Sequence, residues 1–234
     1  MIKADLTAPP SKDDGGEKDV NKGTLPASKQ GGAGGDTSDS DKLDALCQKA
    51  QGGDKRAFDA LVLQSYDRAY TIARNMLRSE ADARDVVQDA FVRVQRGLGD
   101  FQGASRFTTW LYRVVVNLCL DQLRHKKRWG DKHPDALDNL HSVARSPEQE
   151  SSDTELARAL ELGLGQLPDI HRATFLLFEA EGLSYEEIAK VTGVRVGTVM
   201  SRLFYARKKL QGFLAPMLGM EAPEEAAATL KDEG

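Results

Sequence analysis

The sequence predicts an all-α protein of two small helical bundles, joined by a flexible linker and preceded by a disordered N-terminal tail. Three observations predict this. Apolar residues recur at three and four over 42–129 and again over 153–214, the period of amphipathic helices. No stretch alternates apolar and polar residues as a half-buried strand would. Glycine, proline and short polar residues collect at 1–41 and 130–152 and divide the chain there.

Residues 1–41 are Gly, Ser, Asp, Lys and Pro with few large apolar side chains, and end in "GGAGGDTSDSD". Such a segment buries too little apolar surface to offset its ordering entropy, so disorder is expected. The first bundle, 42–129, opens with Leu43, Leu46 and Ala50 at helical spacing. Gly52–Gly53 then breaks the chain before a second helix carrying Phe58, Leu61, Val62, Tyr66, Ala69, Tyr70, Ala73 and Leu77. Ser79 is a natural N-cap for a third helix running to 96. Val86, Val87, Ala90, Phe91 and Val94 form its apolar stripe, and Asp82, Asp85, Gln88 and Asp89 line a neighbouring face. An acidic stripe is ordinarily a solvated surface; the sharper reading is a docking face for a basic protein partner.

"GLGDFQGASRF" (97–107) holds three glycines and reads as a loop, and 108–128 as one long helix with Leu111, Val114, Val115 and Leu118 inward. Trp110, Arg113, Asn117, Asp121, Arg124 and Arg128 follow one stripe of that helix. An aromatic ring heading a basic stripe suits unstacked nucleic acid, because the ring stacks on a base while the cations hold phosphates. Phe101, Arg106 and Phe107 of the preceding loop are placed to add a pocket for an extruded base. Taken alone, Trp110 also fits half-buried packing at the edge of the apolar face.

Residues 130–152, with Gly130, Pro134 and Pro147, read as the linker. In the second bundle, 153–214, Pro168 suits the first turn of a helix through Phe175 and Phe178. Ser184 and Glu187 form a capping box, Gly193 a turn, and a helix begins near Val196: the layout of a helix-turn-helix. Val196, Val199, Leu203, Ala206 and Leu210 share one face of that last helix; Ser201, Phe204 and Lys208 lie opposite. Arg195, Arg202, Arg207, Lys208 and Lys209 face no neutralising acid within the segment. Isolated cations usually solvate a surface; five on a helix behind a capped helix and a glycine turn point to DNA. Arg195, Thr198, Ser201, Arg202, Phe204, Arg207 and Lys208 are the candidate contacts. Residues 215–234 are a polar, Ala/Glu-rich tail.

The 234 residues carry a formal net charge of −4, which does not argue against nucleic acid, because binding needs only a local basic footprint. Cys47 and Cys119 belong to no CxxC, so a disulfide framework is not expected and a reducing compartment is. No apolar stretch is long enough to span a membrane and no signal-peptide pattern opens the chain, which reads as cytoplasmic. GxxxxGK[ST] and HExxH are missing, and His125, His133, His141 and His171 match no metal spacing. Neither catalysis nor a metal or other cofactor is expected.

"YDRAYTIARNMLRSEADARDVVQDAFVRV" followed by "FTTWLYRVVVNLCLDQLRHKKR" resembles region 2 of the extracytoplasmic-function (ECF) sigma factors of bacterial RNA polymerase. "LPDIHRATFLLFEAEGLSYEEIAKVTGVRVGTVMSRLFYARKKL" resembles their region 4. The resemblance covers about 43–212, with the two motif sets in order and only a short linker between them. It implies region 2 at 42–129, region 4 at 153–214, and a chain that confers promoter choice on the polymerase without catalysis of its own. The implied partners are core RNA polymerase (the β′ clamp helices, and β), promoter DNA and an anti-sigma factor, with no direct insertion into a membrane. Asp82, Asp85, Gln88 and Asp89 would dock on the clamp helices. Phe101, Arg106, Phe107, Trp110, Arg113, Asn117 and Arg124 would recognise and melt the −10 element. The helix from Val196 would read the −35 element. Met200 and Tyr205 stand where many members carry arginine, so contacts at those two positions do not transfer. The alternative, a stand-alone helix-turn-helix regulator, accounts for the C-terminal block only.

Overall fold

The computed structural model describes residues 36–132, 152–217 and 219. Most of the expected tail, linker and C-terminal extension, at 1–35, 133–151 and 220–234, lies outside the described residues. Among those described there are eight α-helices, one short 3-10 turn and no strand.

The first bundle comprises α1 (Asp36–Gln51), α2 (Lys55–Leu77), α3 (Glu80–Gly97) and α4 (Phe107–Lys132). Local chemistry sets its boundaries. Asp54 caps α2 by accepting from the amides of Arg56 and Ala57 at 2.9 and 3.1 Å, which satisfies two of the helix's orphan donors. Arg78 ends α2 in the left-handed region (φ 56°). Ser79 caps α3 by accepting from the Asp82 amide, as its sequence position predicts. A 3-10 turn at Leu98–Asp100 follows α3, and the loop to α4 is confined to 101–106.

Two expectations about this half need correction. Helix α1 begins at Asp36, inside the segment expected to be disordered. Composition missed this because two of the anchors are distant charges: besides its local pair with Lys42 at 3.0 Å, Asp39 reaches Arg68 at 3.9 Å, while Asp41 reaches Arg106 at 3.5 Å. Helix α4 continues to Lys132 and takes in the first residues assigned to the linker.

The second bundle comprises α5 (Ser152–Gly165), α6 (Asp169–Glu179), α7 (Tyr185–Thr192) and α8 (Val196–Met217). Pro168 occupies the N-cap position of α6, one residue earlier than its expected place in the first turn. The capping box of α7 is formed, with Glu187 accepting from the Ser184 amide at 2.9 Å and Ser184 accepting from the Glu187 amide at 3.2 Å. Gly193 then adopts φ 68°, a conformation that costs a side-chain-bearing residue, and turns the chain into α8. Helices α5, α6 and α7 all pack on α8.

The two bundles, which the linker joins in sequence, also pack on each other. Helix α4 packs against α7 and α6, and α2 against α6, so one continuous apolar core runs through both halves. Tyr112 of α4 is buried there and donates to the Glu181 carboxylate at 2.6 Å; burial first, and that carboxylate second, push its hydroxyl pKa up. Arg74 reaches Glu161 across the same junction at 3.3 Å. In consequence the first half of α4 is enclosed on most sides: Leu111, Tyr112, Val115, Val116, Leu118 and Cys119 are buried. Over its first four turns what stands fully in solvent is a strip at i, i+4, Arg113, Asn117 and Asp121; Arg124, His125, Lys127, Arg128 and Trp129 are exposed beyond it.

Candidate functional site

Three surfaces collect the candidate residues. On α3, Asp85, Gln88 and Asp89 are all exposed. Asp82 is not part of that open face. Its carboxylate is half-buried against α4, where it accepts from Lys126 at 2.5 Å and from Gln122 at 3.1 Å. Burial works to raise its pKa, but the hydrogen bonds from Lys126, Ser79 and Gln122 outweigh it and hold the carboxyl below its ordinary value. Asp82 therefore ties α3 to α4. Sequence periodicity placed it with the other acids because it sees one helix and not the neighbour.

Beside the acidic face, α2 and α3 leave an open apolar groove of about 710 Å³, lined by Phe58, Val62, Leu63, Tyr66, Phe91 and Val92, with Gln88 on its rim. Leu63 is 77 % exposed, so the groove is a solvent-facing apolar surface and not core. These residues were not among the candidates. The signal was present: Leu63 and Val92 fall beside the apolar stripes of α2 and α3 instead of within them.

The second surface is the loop 101–106 with the start of α4. Phe101 stacks on Trp110 with ring centroids 4.7 Å apart and planes 16° from parallel. Trp110 is half-buried, and a Cβ on Gly97 would approach its ring to 3.2 Å, so α3 lets the indole lie flat against its end. Phe107 requires correction as a nucleic-acid contact. It is fully buried and meets the Trp110 ring edge-on at 6.2 Å, supporting the indole from beneath. Arg113 and Asn117 are exposed on the strip below. Arg124 is exposed too and is paired with Asp121 at 3.1 Å. Arg106 is half-exposed beside Asp41. The arrangement is an aromatic platform at the head of a polar strip, the combination that accepts unpaired bases and their backbone.

The third surface is α8. Val199, Leu203, Ala206 and Leu210 are buried and Val196 is half-buried, as the periodicity predicts. Phe204 is 58 % exposed, Met200 is 40 % exposed, and Ser201 stands in solvent beside them. Arg195 precedes the helix and is exposed; its carbonyl accepts from the Thr198 and Val199 amides, and Thr198 is half-buried. The Ser201 hydroxyl donates to the Thr198 carbonyl at 3.0 Å. Lys208 is half-exposed. Two of the basic candidates are less available. Arg207 forms two bonds to Glu179, at 2.8 and 3.1 Å, and lies over the Phe178 ring at 4.9 Å. Arg202 is half-buried, one of its terminal nitrogens is enclosed without a hydrogen-bond partner among the described residues, and burial pushes its pKa down. Tyr205, the departure from the arginine-rich pattern, packs inward against His171 at 4.7 Å. The outward chemistry of α8 is thus an apolar ring with flanking polar groups, smaller than the charge count suggests.

Both cysteines are buried; burial first pushes the thiol of Cys47 up to about 11 and that of Cys119 to about 12, so neither is a reactive thiolate. Among the described residues no group of three or more His, Cys, Asp or Glu is placed to hold a metal, and no helix is long and apolar enough to cross a membrane.

An all-α chain with an aromatic platform on one bundle and a helix-turn-helix on the other has the two-part layout that the resemblance in its sequence implies. Comparison with known proteins agrees with it. The model of Sigma-70 region 2 matches residues 61–129, and that of Sigma-70 region 4 matches 157–210. The chain is 36% identical over 184 residues to the RNA polymerase sigma-H factor of Pseudomonas aeruginosa, covering 74% of this chain and 94% of that one. It is 34% identical over 181 residues to the ECF RNA polymerase sigma-E factor of Escherichia coli K12, again covering 74% and 94%. The co-crystal structure of the sigma factor RpoE with the anti-sigma factor NepR from Bartonella quintana matches at 28% identity with a TM-score of 0.57, covering 67% of this chain and 96% of that one. The chain belongs to the ECF sigma factors, and the reading as a stand-alone regulator is not favoured.

Proposed function

We propose that this sigma factor divides its work among the three surfaces and is not itself an enzyme. Asp85, Gln88 and Asp89, with the apolar groove beside them, dock on the β′ clamp helices of core RNA polymerase. The aromatic platform of Phe101 and Trp110, with Arg106 on the same loop as Phe101 and the strip of Arg113, Asn117 and Arg124 further along α4, receives the opened −10 strand. Helix α8 enters the major groove at the −35 element, led by Phe204, Ser201 and Arg195. In this reading 42–129 is region 2 and 153–214 is region 4, and the chain acts in the cytoplasm, where the polymerase is. An anti-sigma factor is its expected regulator, a reading supported by the RpoE–NepR complex.

The observation that carries the proposal is the flat stack of Phe101 on Trp110 above a polar strip. A half-buried ring pair with partly accessible faces at the head of a polar strip has little use in a duplex reader, whereas unstacked bases need such a surface. The acidic face is tested by capturing core polymerase with the full-length chain. The double variant Asp85→Ala, Asp89→Ala should retain the helical circular dichroism spectrum and bind core on the order of tenfold more weakly. Unchanged capture would reject that surface.

A further inference from the structure

The loop that carries Phe101 and Arg106 is held in place from α1, which precedes residue 61, where the region 2 model begins to match. Gln51, the last residue of α1, donates from its side-chain amide to two carbonyls at once, those of Leu98 at 3.0 Å and Phe101 at 2.5 Å. Asp44, two turns earlier on the same helix, accepts from the amide of Phe107 at 2.7 Å. That amide is the first donor of α4, and the residue before it is Arg106, which has no side-chain acceptor to cap it. Asp44 therefore supplies the missing N-cap from another helix, with its negative charge at the positive end of α4. Asp41 adds the ion pair to Arg106. Between these anchors, Gln102, Gly103 and Ala104 are exposed, and Gly103 takes φ 68°. A short glycine-containing loop has many conformers in reach, and two of its anchored points bracket the ring of Phe101.

We infer that Asp44 and Gln51 are positioning residues for the −10 element: they set the register of Phe101 on Trp110 and so the shape of the base-receiving surface. The inference rests on the proposed role of that platform. The cleft between α1 and the loop, about 370 Å³ and lined by Asp44, Gln48, Gln51, Phe101, Ser105 and Arg106, owes its walls to the same tethers. Gln51 acts as a donor, so its replacement should matter according to whether donation survives. Asp44 acts as an acceptor, so asparagine should replace it and alanine should not.

The test uses the full-length chain with core polymerase on a promoter library randomised at the −10 and −35 elements, with initiated templates sequenced. Gln51→Ala should lose roughly five- to tenfold in −10 discrimination, the worth of one or two hydrogen bonds, while −35 discrimination and core capture stay at wild-type levels. Gln51→Lys, which still donates, should recover most of the loss; Gln51→Glu, which cannot donate at neutral pH, should not. Asp44→Asn, which keeps the acceptor and loses only the charge, should retain most of the discrimination, and Asp44→Ala should behave as Gln51→Ala. In a Trp129→Phe background, where Trp110 is the remaining tryptophan, Gln51→Ala should shift the emission to the red as Phe101 leaves the indole. Wild-type −10 discrimination in Gln51→Ala and Asp44→Ala, or a Gln51→Lys no better than alanine, would overturn the inference alone. A wild-type chain with no −10 preference would overturn the platform reading and the inference with it.

Discussion

The two surfaces proposed to meet nucleic acid are built on opposite principles. The platform on the first bundle is assembled from four elements: Gly97 of α3, Phe101 of the loop, Trp110 and Phe107 of α4, with α1 bracing the whole. Its rings already touch one another, and on the proposed reading a base must fit a shape that exists before it arrives. The surface on α8 is a single helix face. Phe204 stands outward, 58 % exposed, with no ring stacked on it among the described contacts. A melted strand has lost its own order, so the protein must provide a rigid template for it. A duplex keeps its order, and a convex helix that fits the groove is enough.

The contrast predicts that truncating the platform costs more than truncating the helix face. Trp110→Ala should reduce promoter opening by roughly ten- to a hundredfold, since stacking on one aromatic contributes about 1–3 kcal/mol per base and the indole also supports Phe101. Permanganate footprinting of the −10 region measures it, and a template supplied already melted should restore only part of the loss. Phe204→Ala should retain fold and thermal midpoint and reduce −35-dependent initiation by about tenfold or less, as expected for one apolar contact to a thymine methyl. Equal effects at the two sites would break the comparison.

Smaller effects test the scaffold on which both surfaces stand. Tyr112→Phe removes the buried bond to Glu181 between the bundles and should lower unfolding free energy by about 1–2 kcal/mol in urea titration. If the bundles unfold independently, the variant should leave that value unchanged. Asp82→Asn should cost about 1 kcal/mol at neutral pH. The folded pKa of Asp82 is depressed, so its contribution is complete above the ordinary value near 3.8 and disappears as pH falls through the lower folded value. Wild-type and variant stabilities should accordingly converge in acid. A gap that persists at the lowest pH would show that the ion pair with Lys126 is not its source.

Much of the fold was legible because helices announce themselves locally. The cap at Ser79, the capping box at Ser184, the glycine turn at Gly193 and the inward face of α8 are each contained within a few residues. What the sequence could not show was what faced what. Phe107 sits beside Trp110 in the chain and looked like a second reading ring, but a packed core lies on its other side. Asp82 shares a stripe with Asp85 and Asp89, yet Lys126, 44 residues away, claims it. Arg207 counted as a free cation until Glu179 stood next to it. The polar run before residue 42 looked unfit to fold because its partners, Arg68 and Arg106, lie on other elements. Periodicity reports one helix at a time, and each of these residues is decided by a neighbouring one.

The most direct measurement is transcription in vitro with core RNA polymerase, the full-length chain and genomic DNA fragments, with start sites mapped. The account predicts new starts that require the chain, share a −10 and a −35 element at fixed spacing, and lose −10 selectivity first when Trp110 is replaced. Starts that do not depend on the chain, or chain-dependent starts without a common −10 element, would contradict it.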